Sequence, residues 1–227
     1  MGVLVRVQSG APPQMKKIVF LILAIPVLSL FFSCHRQPAV ENIDSKGKNI
    51  ICFGNSLTSG VGARADNNFP DILRKRLPVA VINAGKPGDT SKDALLRLRK
   101  DVLLKDPFLV IVEFGGNDFL QRIKVDTTIS NIEEIVRRIQ QQGAMVVLCE
   151  VSAGYWGDSY RRGFRRIARK HRCLLIENIL GGIINDPDKM YDYIHPNSEG
   201  YAVMAEEILG VVKPLVQKNL SLKGKGD

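Results

Sequence analysis

The 227-residue sequence predicts an α/β fold: three layers, α/β/α, around a five-stranded parallel sheet in a doubly wound, flavodoxin-like layout. Three observations carry this expectation. Short apolar strand patterns alternate with helical patterns about five times. The connections between them are short, and right-handed crossovers of that kind produce a parallel sheet. The pattern at Phe108 to Phe114 is almost continuously apolar, as a strand covered on both faces must be. A composition of 45% hydrophobic and 24% charged residues suits one globular domain.

The elements follow in order. Asn49 to Phe53 is the first strand, ending in the turn Gly54-Asn55-Ser56. A loop rich in Gly, Ala and Asn runs through Asn68, followed by a short helix from Pro70 to Leu77. Val79 to Asn83 is the second strand. Ala84 to Thr90 is a turn-rich loop, and Thr90 or Ser91 caps a helix reaching about Lys105, with Ala94, Leu95, Leu98 and Val102 at helical spacing. Asp106-Pro107 breaks that helix, and the third strand ends in Gly115-Gly116-Asn117-Asp118. Residues 129–142 form an amphipathic helix with Ile132, Ile135, Val136 and Ile139 on one side. Ala144 to Cys149 is the fourth strand, Ser159 to His171 a basic helix, and Cys173 to Ile176 the fifth strand. Leu180 to Tyr193 is irregular. Pro196 opens a last helix to about Leu209. The expected organisation is an upstream extension and signal peptide over 1–33, a tether over 34–48, one globular domain over 49–216 and a polar tail over 217–227.

The front of the chain reads as an export signal. Met15-Lys16-Lys17 precedes an apolar run from Ile18 to Phe32, shorter than the ~20 residues that span a bilayer comfortably. Met15 is then the expected start. The run stops at Ser33-Cys34, which resembles a bacterial lipoprotein signal with Cys34 as the lipidated residue; ordinary cleavage nearby is the rival reading. The net charge of +9 loses Arg6, Lys16 and Lys17 with the leader. The remaining basic residues are spread over helix faces without aromatic interleaving, so no nucleic-acid partner is expected. Of four cysteines, Cys52, Cys149 and Cys173 lie in apolar runs and no Cys-x-x-Cys occurs, which points to core thiols rather than a zinc or disulfide framework.

In this layout the loops after strands one, two and three open at the same sheet edge, where open α/β sheets bind ligands. Each is small and polar: Gly54-Asn55-Ser56, Gly88-Asp89-Thr90 and Gly116-Asn117-Asp118. A serine nucleophile needs a base, an orienter for that base and donors for the oxyanion. The chain has three histidines. His35 is in the tether and His171 sits at a basic helix end, leaving His195. Asp192 precedes it by three residues, so one turn can hold both side chains on one side. Asp89, Asp118, Asp126, Asp186 and Asp188 are scattered without calcium-loop spacing and read as turn and cap residues, so no metal or other cofactor is expected.

These blocks together resemble the GDSL-type (SGNH) hydrolase family, over roughly Asn49 to Leu209. The first block is Gly54-Asn55-Ser56-Leu57-Thr58, the second lies around Gly88, the third is Gly115-Gly116-Asn117-Asp118 and the last is Asp192-x-x-His195-Pro196-Asn197. The resemblance implies Ser56 as nucleophile, with Asp192 and His195 completing the triad. It implies an oxyanion hole from the Ser56 and Gly88 N–H groups and the Asn117 side chain. One position departs: the family name implies Asp where this chain has Asn55, which keeps a turn hydrogen bond but loses a charge. The implied activity is an exported serine esterase acting through an acyl-enzyme. Its small-molecule, glycan or lipid ester substrate would carry a short acyl, aryl, lysophospholipid or acetylated-carbohydrate group. Tyr155 and Trp156, with Tyr160, are candidates to line the site. A degenerate surface lipoprotein that binds a glycan or lipid without turnover is the alternative, and Asn55 is its one supporting feature. A second alternative is a nucleotide-binding flavodoxin-like protein; the absence of a phosphate-cradling glycine motif after the first strand argues against it.

Overall fold

A computed structural model describes residues 40–151 and 157–224. The expected leader, Cys34, Tyr155 and Trp156 lie outside the described residues. Five strands are present: β1 (Asn49–Gly54), β2 (Val81–Gly85), β3 (Pro107–Glu113), β4 (Met145–Cys149) and β5 (Leu174–Ile176). All pair in parallel in the order β2-β1-β3-β4-β5. The doubly wound expectation therefore holds, with the order reversing next to β1.

Alternate residues of each strand feed two separate cores. Ile50, Cys52, Leu109, Ile111, Met145 and Val147 face helices α2 (Phe69–Arg76) and α7 (Ser198–Lys223), through Leu73, Tyr201, Met204 and Ile208. Ile51, Phe53, Val110, Val112, Val146 and Leu148 face α3 (Ser91–Asp101), α5 (Val125–Gln141) and α6 (Gly157–Lys170), through Ala94, Leu98, Ile132, Ile135 and Phe164. Every residue of β3 and β4 is buried, which is why those segments read as apolar runs, broken only by Glu113 at the end of β3. Two short helices, α1 (Ser56–Ser59) and α4 (Gly116–Leu120), occupy stretches that read as loops in the sequence. Four or five residues are too few to display a period of 3.6.

Several boundaries differ from the sequence reading: α5 begins at Val125 rather than at 129, and α3 ends at Asp101 rather than near Lys105. β2 lies two residues later, because Ile50 pairs with Val81 rather than with Val79. α7 runs through Lys223 instead of ending near Leu209, passing Gly210 and Pro214; both lie on its exposed side, while Leu215, Val216 and Asn219 are buried. Residues 40–48, expected to be part of a tether, lie on the domain along the amino edge of the sheet. The Glu41 N–H donates to the Arg172 carbonyl (3.0 Å) and Asn42 Nδ2 to those of Gln140 (2.8 Å) and Ala144 (3.1 Å). Asn219 Nδ2 from α7 donates to the carbonyls of Ile43 and Ser45, each at 2.9 Å, and Lys223 Nζ to that of Gly47 at 2.7 Å. No described helix is long and apolar enough to cross a membrane.

Candidate active site

β1 delivers Ser56 to the carboxyl edge of the sheet. The strand ends at Gly54, and Asn55 caps α1, its Oδ1 accepting the Leu57 N–H at 3.0 Å. Ser56 is thus the first residue of a one-turn helix. His195 arrives from the opposite end of the chain, on the irregular segment before α7. That segment is pinned where Asn197 caps α7 and donates back to the Asp188 carbonyl at 2.8 Å.

The side chains meet. Ser56 Oγ lies 2.9 Å from His195 Nε2, and His195 Nδ1 lies 2.8 Å from Asp192 Oδ2. A carboxylate only accepts, so Nδ1 carries the ring proton and Nε2 is left to accept from the serine hydroxyl. The second carboxylate oxygen of Asp192 accepts the Ile194 N–H at 2.9 Å and the His195 N–H at 2.8 Å. Partial burial pushes the Asp192 carboxyl up. The hydrogen bonds from the His195 ring and these two N–H groups outweigh it and hold the group below its usual range.

Asn117 lines the same cleft, with one amide hydrogen given to the Asp89 carbonyl at 2.8 Å. Its second hydrogen stays available. Gly88 is not among the lining residues, but this bond ties its loop to Asn117. Gly88 has φ +84°, which favours glycine, and a Cβ there would meet no atom within 4 Å. The loop is held from behind by Arg97. Its guanidinium donates to Asp89 Oδ2 (2.5 Å), the Ala84 carbonyl (2.8 Å) and the Gly54 carbonyl (2.9 Å), and stacks 4.5 Å over the Phe53 ring. The fully buried Asp118 accepts from the Ser91 N–H at 2.9 Å and Thr128 Oγ1 at 3.1 Å, linking α4 to α3 and α5. These carboxylates are structural partners of N–H, hydroxyl and guanidinium groups. Among the described residues no group of three His, Cys, Asp or Glu side chains could hold a metal ion.

A cleft of about 1090 Å³ opens over Ser56 and His195. Its walls are mostly apolar, including Leu120, Val151, Leu180, Ile184, Met190 and Ile194. Tyr160, considered as a lining residue, is instead buried in the core on α6, edge-on to Phe119 of the cleft wall. His171 is half-buried at the end of α6 and lies 3.0 Å from Glu133, away from the cleft.

Glu113 went unremarked in the sequence. It closes β3, is 1% exposed, and lies directly behind Asn55. Oε1 accepts Asn55 Nδ2 at 3.0 Å. Oε2 accepts Thr58 Oγ1 at 2.8 Å and the Asn55 N–H at 3.3 Å. Burial pushes its carboxyl up to about 7, against the lowering effect of the hydrogen bonds from Thr58 and Asn55. The available signal was a lone acid inside the apolar run from Phe108 to Phe114.

Comparison with known proteins bears on this arrangement. A model of the GDSL-like lipase/acylhydrolase family matches residues 52–203. The chain is 27% identical over 178 residues to esterase TesA of Pseudomonas aeruginosa, covering 74% of this chain and 89% of that one. It is 26% identical over 200 residues to thioesterase 1/protease 1/lysophospholipase L1 of Escherichia coli, covering 85% and 93%. A crystal structure of TesA aligns with a TM-score of 0.70 at 25% identity, covering 74% of this chain and 99% of that chain.

Proposed function

The chain belongs to the GDSL-like lipase/acylhydrolase family, and on that premise we propose that it is an exported serine esterase that works through an acyl-enzyme on Ser56. The observation that carries the reading is the unbroken hydrogen-bond chain Ser56–His195–Asp192 at the floor of the apolar cleft. Ser56 Oγ attacks the ester carbonyl carbon while its proton passes to His195 Nε2. Asp192 holds the imidazolium that forms. The oxyanion of the tetrahedral adduct accepts from the Ser56 N–H, the Gly88 N–H and the free hydrogen of Asn117 Nδ2; losing one such donor typically costs about 10²–10³ in turnover. Collapse expels the alkoxide, which takes the proton from His195. Water, deprotonated by the same ring, then releases the carboxylic acid and regenerates Ser56.

Substrates with a single acyl chain suit the cleft: short acyl or aryl esters, lysophospholipids or acetylated carbohydrates. The basic start at Met15-Lys16-Lys17, the apolar run behind it and Ser33-Cys34 support export with a lipid anchor on Cys34. Ser56→Ala is expected to abolish hydrolysis of a chromogenic acetate while leaving the melting temperature near that of the parent. A fluorophosphonate should label the parent at Ser56 and not the variant. Wild-type rates in the variant would remove Ser56 as the nucleophile, and a parent that neither labels nor turns over would leave a binding protein.

A further inference from the structure

Asn55 occupies the position where the family name implies aspartate, and its surroundings give that difference a meaning. Its amide is not interchangeable end for end. Oδ1 is committed to the Leu57 N–H as the cap of α1, so Nδ2 must point at Glu113 Oε1. Glu113 Oε2 meanwhile accepts from Thr58 Oγ1 and the Asn55 N–H. Three donors of the turn that carries Ser56 thus converge on one carboxylate fixed to β3. Gly54 makes the approach possible: a Cβ there would fall 1.9 Å from Thr58 Oγ1 and 2.6 Å from Glu113 Oε2. Among the described residues no cation forms an ion pair with Glu113. The titratable groups facing it from other elements are Cys149 of β4 and Tyr201 of α7, and burial keeps both neutral.

We propose that Glu113 and Asn55 are one positioning unit for Ser56, in which the carboxylate holds the nucleophile's turn through the asparagine amide, and that asparagine spares the pair the shared proton an aspartate would demand. The proposal rests on Ser56 being the nucleophile. Asn55→Asp keeps the cap on Leu57 but sets a carboxylate oxygen against Glu113 Oε1, so the pair must bind a proton to stay together. Glu113→Gln keeps the acceptor for Thr58 and the Asn55 N–H but turns an amide NH2 against the Asn55 amide NH2. The double variant Asn55→Asp/Glu113→Gln restores one donor facing one acceptor, in the reverse sense.

The experiment measures the rate of fluorophosphonate labelling at Ser56, with kcat and KM on a chromogenic acetate, at pH 8 and a temperature below each variant's melting point. Each single variant is expected to label roughly 10-fold more slowly with KM little changed, since small misplacement of a nucleophile costs rate rather than binding. The double variant should recover to within about threefold of the parent, the signature of a coupled pair. Relative to the parent, Asn55→Asp should regain rate as the pH is lowered from about 8 to 6, where the pair holds its proton. Parent-like rates in both folded single variants overturn the proposal, as does a double variant carrying the product of the two losses. If a single variant melts below the assay temperature, Thr58→Val decides. Several-fold slower labelling supports the unit, and a parent-like rate overturns it. A parent that is not labelled at all overturns the reading of Ser56 beneath it, a separate and recognisable failure.

Discussion

Burial without a cation makes Glu113 a pH-dependent contributor to folding. Its carboxyl is pushed up to about 7 in the folded protein, above the usual value of 4.5. The folded state therefore holds a proton that the unfolded chain releases between those values. Its stabilising effect is complete below about 4.5 and is lost as the pH rises through about 7, at most on the order of 3 kcal/mol. Urea denaturation of the parent and of Glu113→Gln across pH 5 to 8 checks this: the difference between them should shift in favour of the variant as the pH rises. Parallel curves would remove the effect. At this scale the sequence was readable where chemistry has a pattern. Ser56, Asp192, His195 and Asn117 stand in recognisable blocks, and all four line one cleft. Glu113 and Arg97 have no motif of their own, because their importance comes from which loops they join across the fold.

The elements most visible in the sequence are those buried on both faces, β1, β3 and β4, since continuous apolar character is a local property. α7 shows the opposite case. Gly210 and Pro214 are ordinary stop signals, yet the helix passes through both, because the apolar residues beyond them find a core to cover. Asn219 then acts as a clasp, 0% exposed, with two hydrogen bonds to the segment ahead of β1. Asn219→Ala is expected to lower stability by about 1–3 kcal/mol, because it strands the buried Ser45 carbonyl and the half-buried Ile43 carbonyl. Equilibrium denaturation measures this. An unchanged midpoint would mean that the Asn219 hydrogen bonds contribute nothing, whereas esterase turnover should be unaffected in either case.

For the molecule as a whole, the division of labour follows the direction of the strands. Their carboxyl ends carry Ser56, the Gly88 loop and Asn117, and the cleft extends from there over Leu180, Ile184 and Met190. If acyl chains lie along that wall, Ile184→Trp should cut hydrolysis of octanoyl esters by roughly 10-fold or more while sparing acetyl esters; such a loss is of the size that blocked apolar contacts give. Equal effects on both chain lengths would place the acyl group elsewhere. The topology was foreseeable from alternation alone, but the shape of this wall was not, since Leu180 to Tyr193 has no period and is fixed by distant partners. The clasp at the amino edge has a practical corollary. Residues 40–48 and the end of α7 are fastened together at the pole of the sheet remote from Ser56. A support, dye or fusion attached through either end of the domain is thus grafted onto its back, and an immobilised preparation keeps its mouth turned toward the medium.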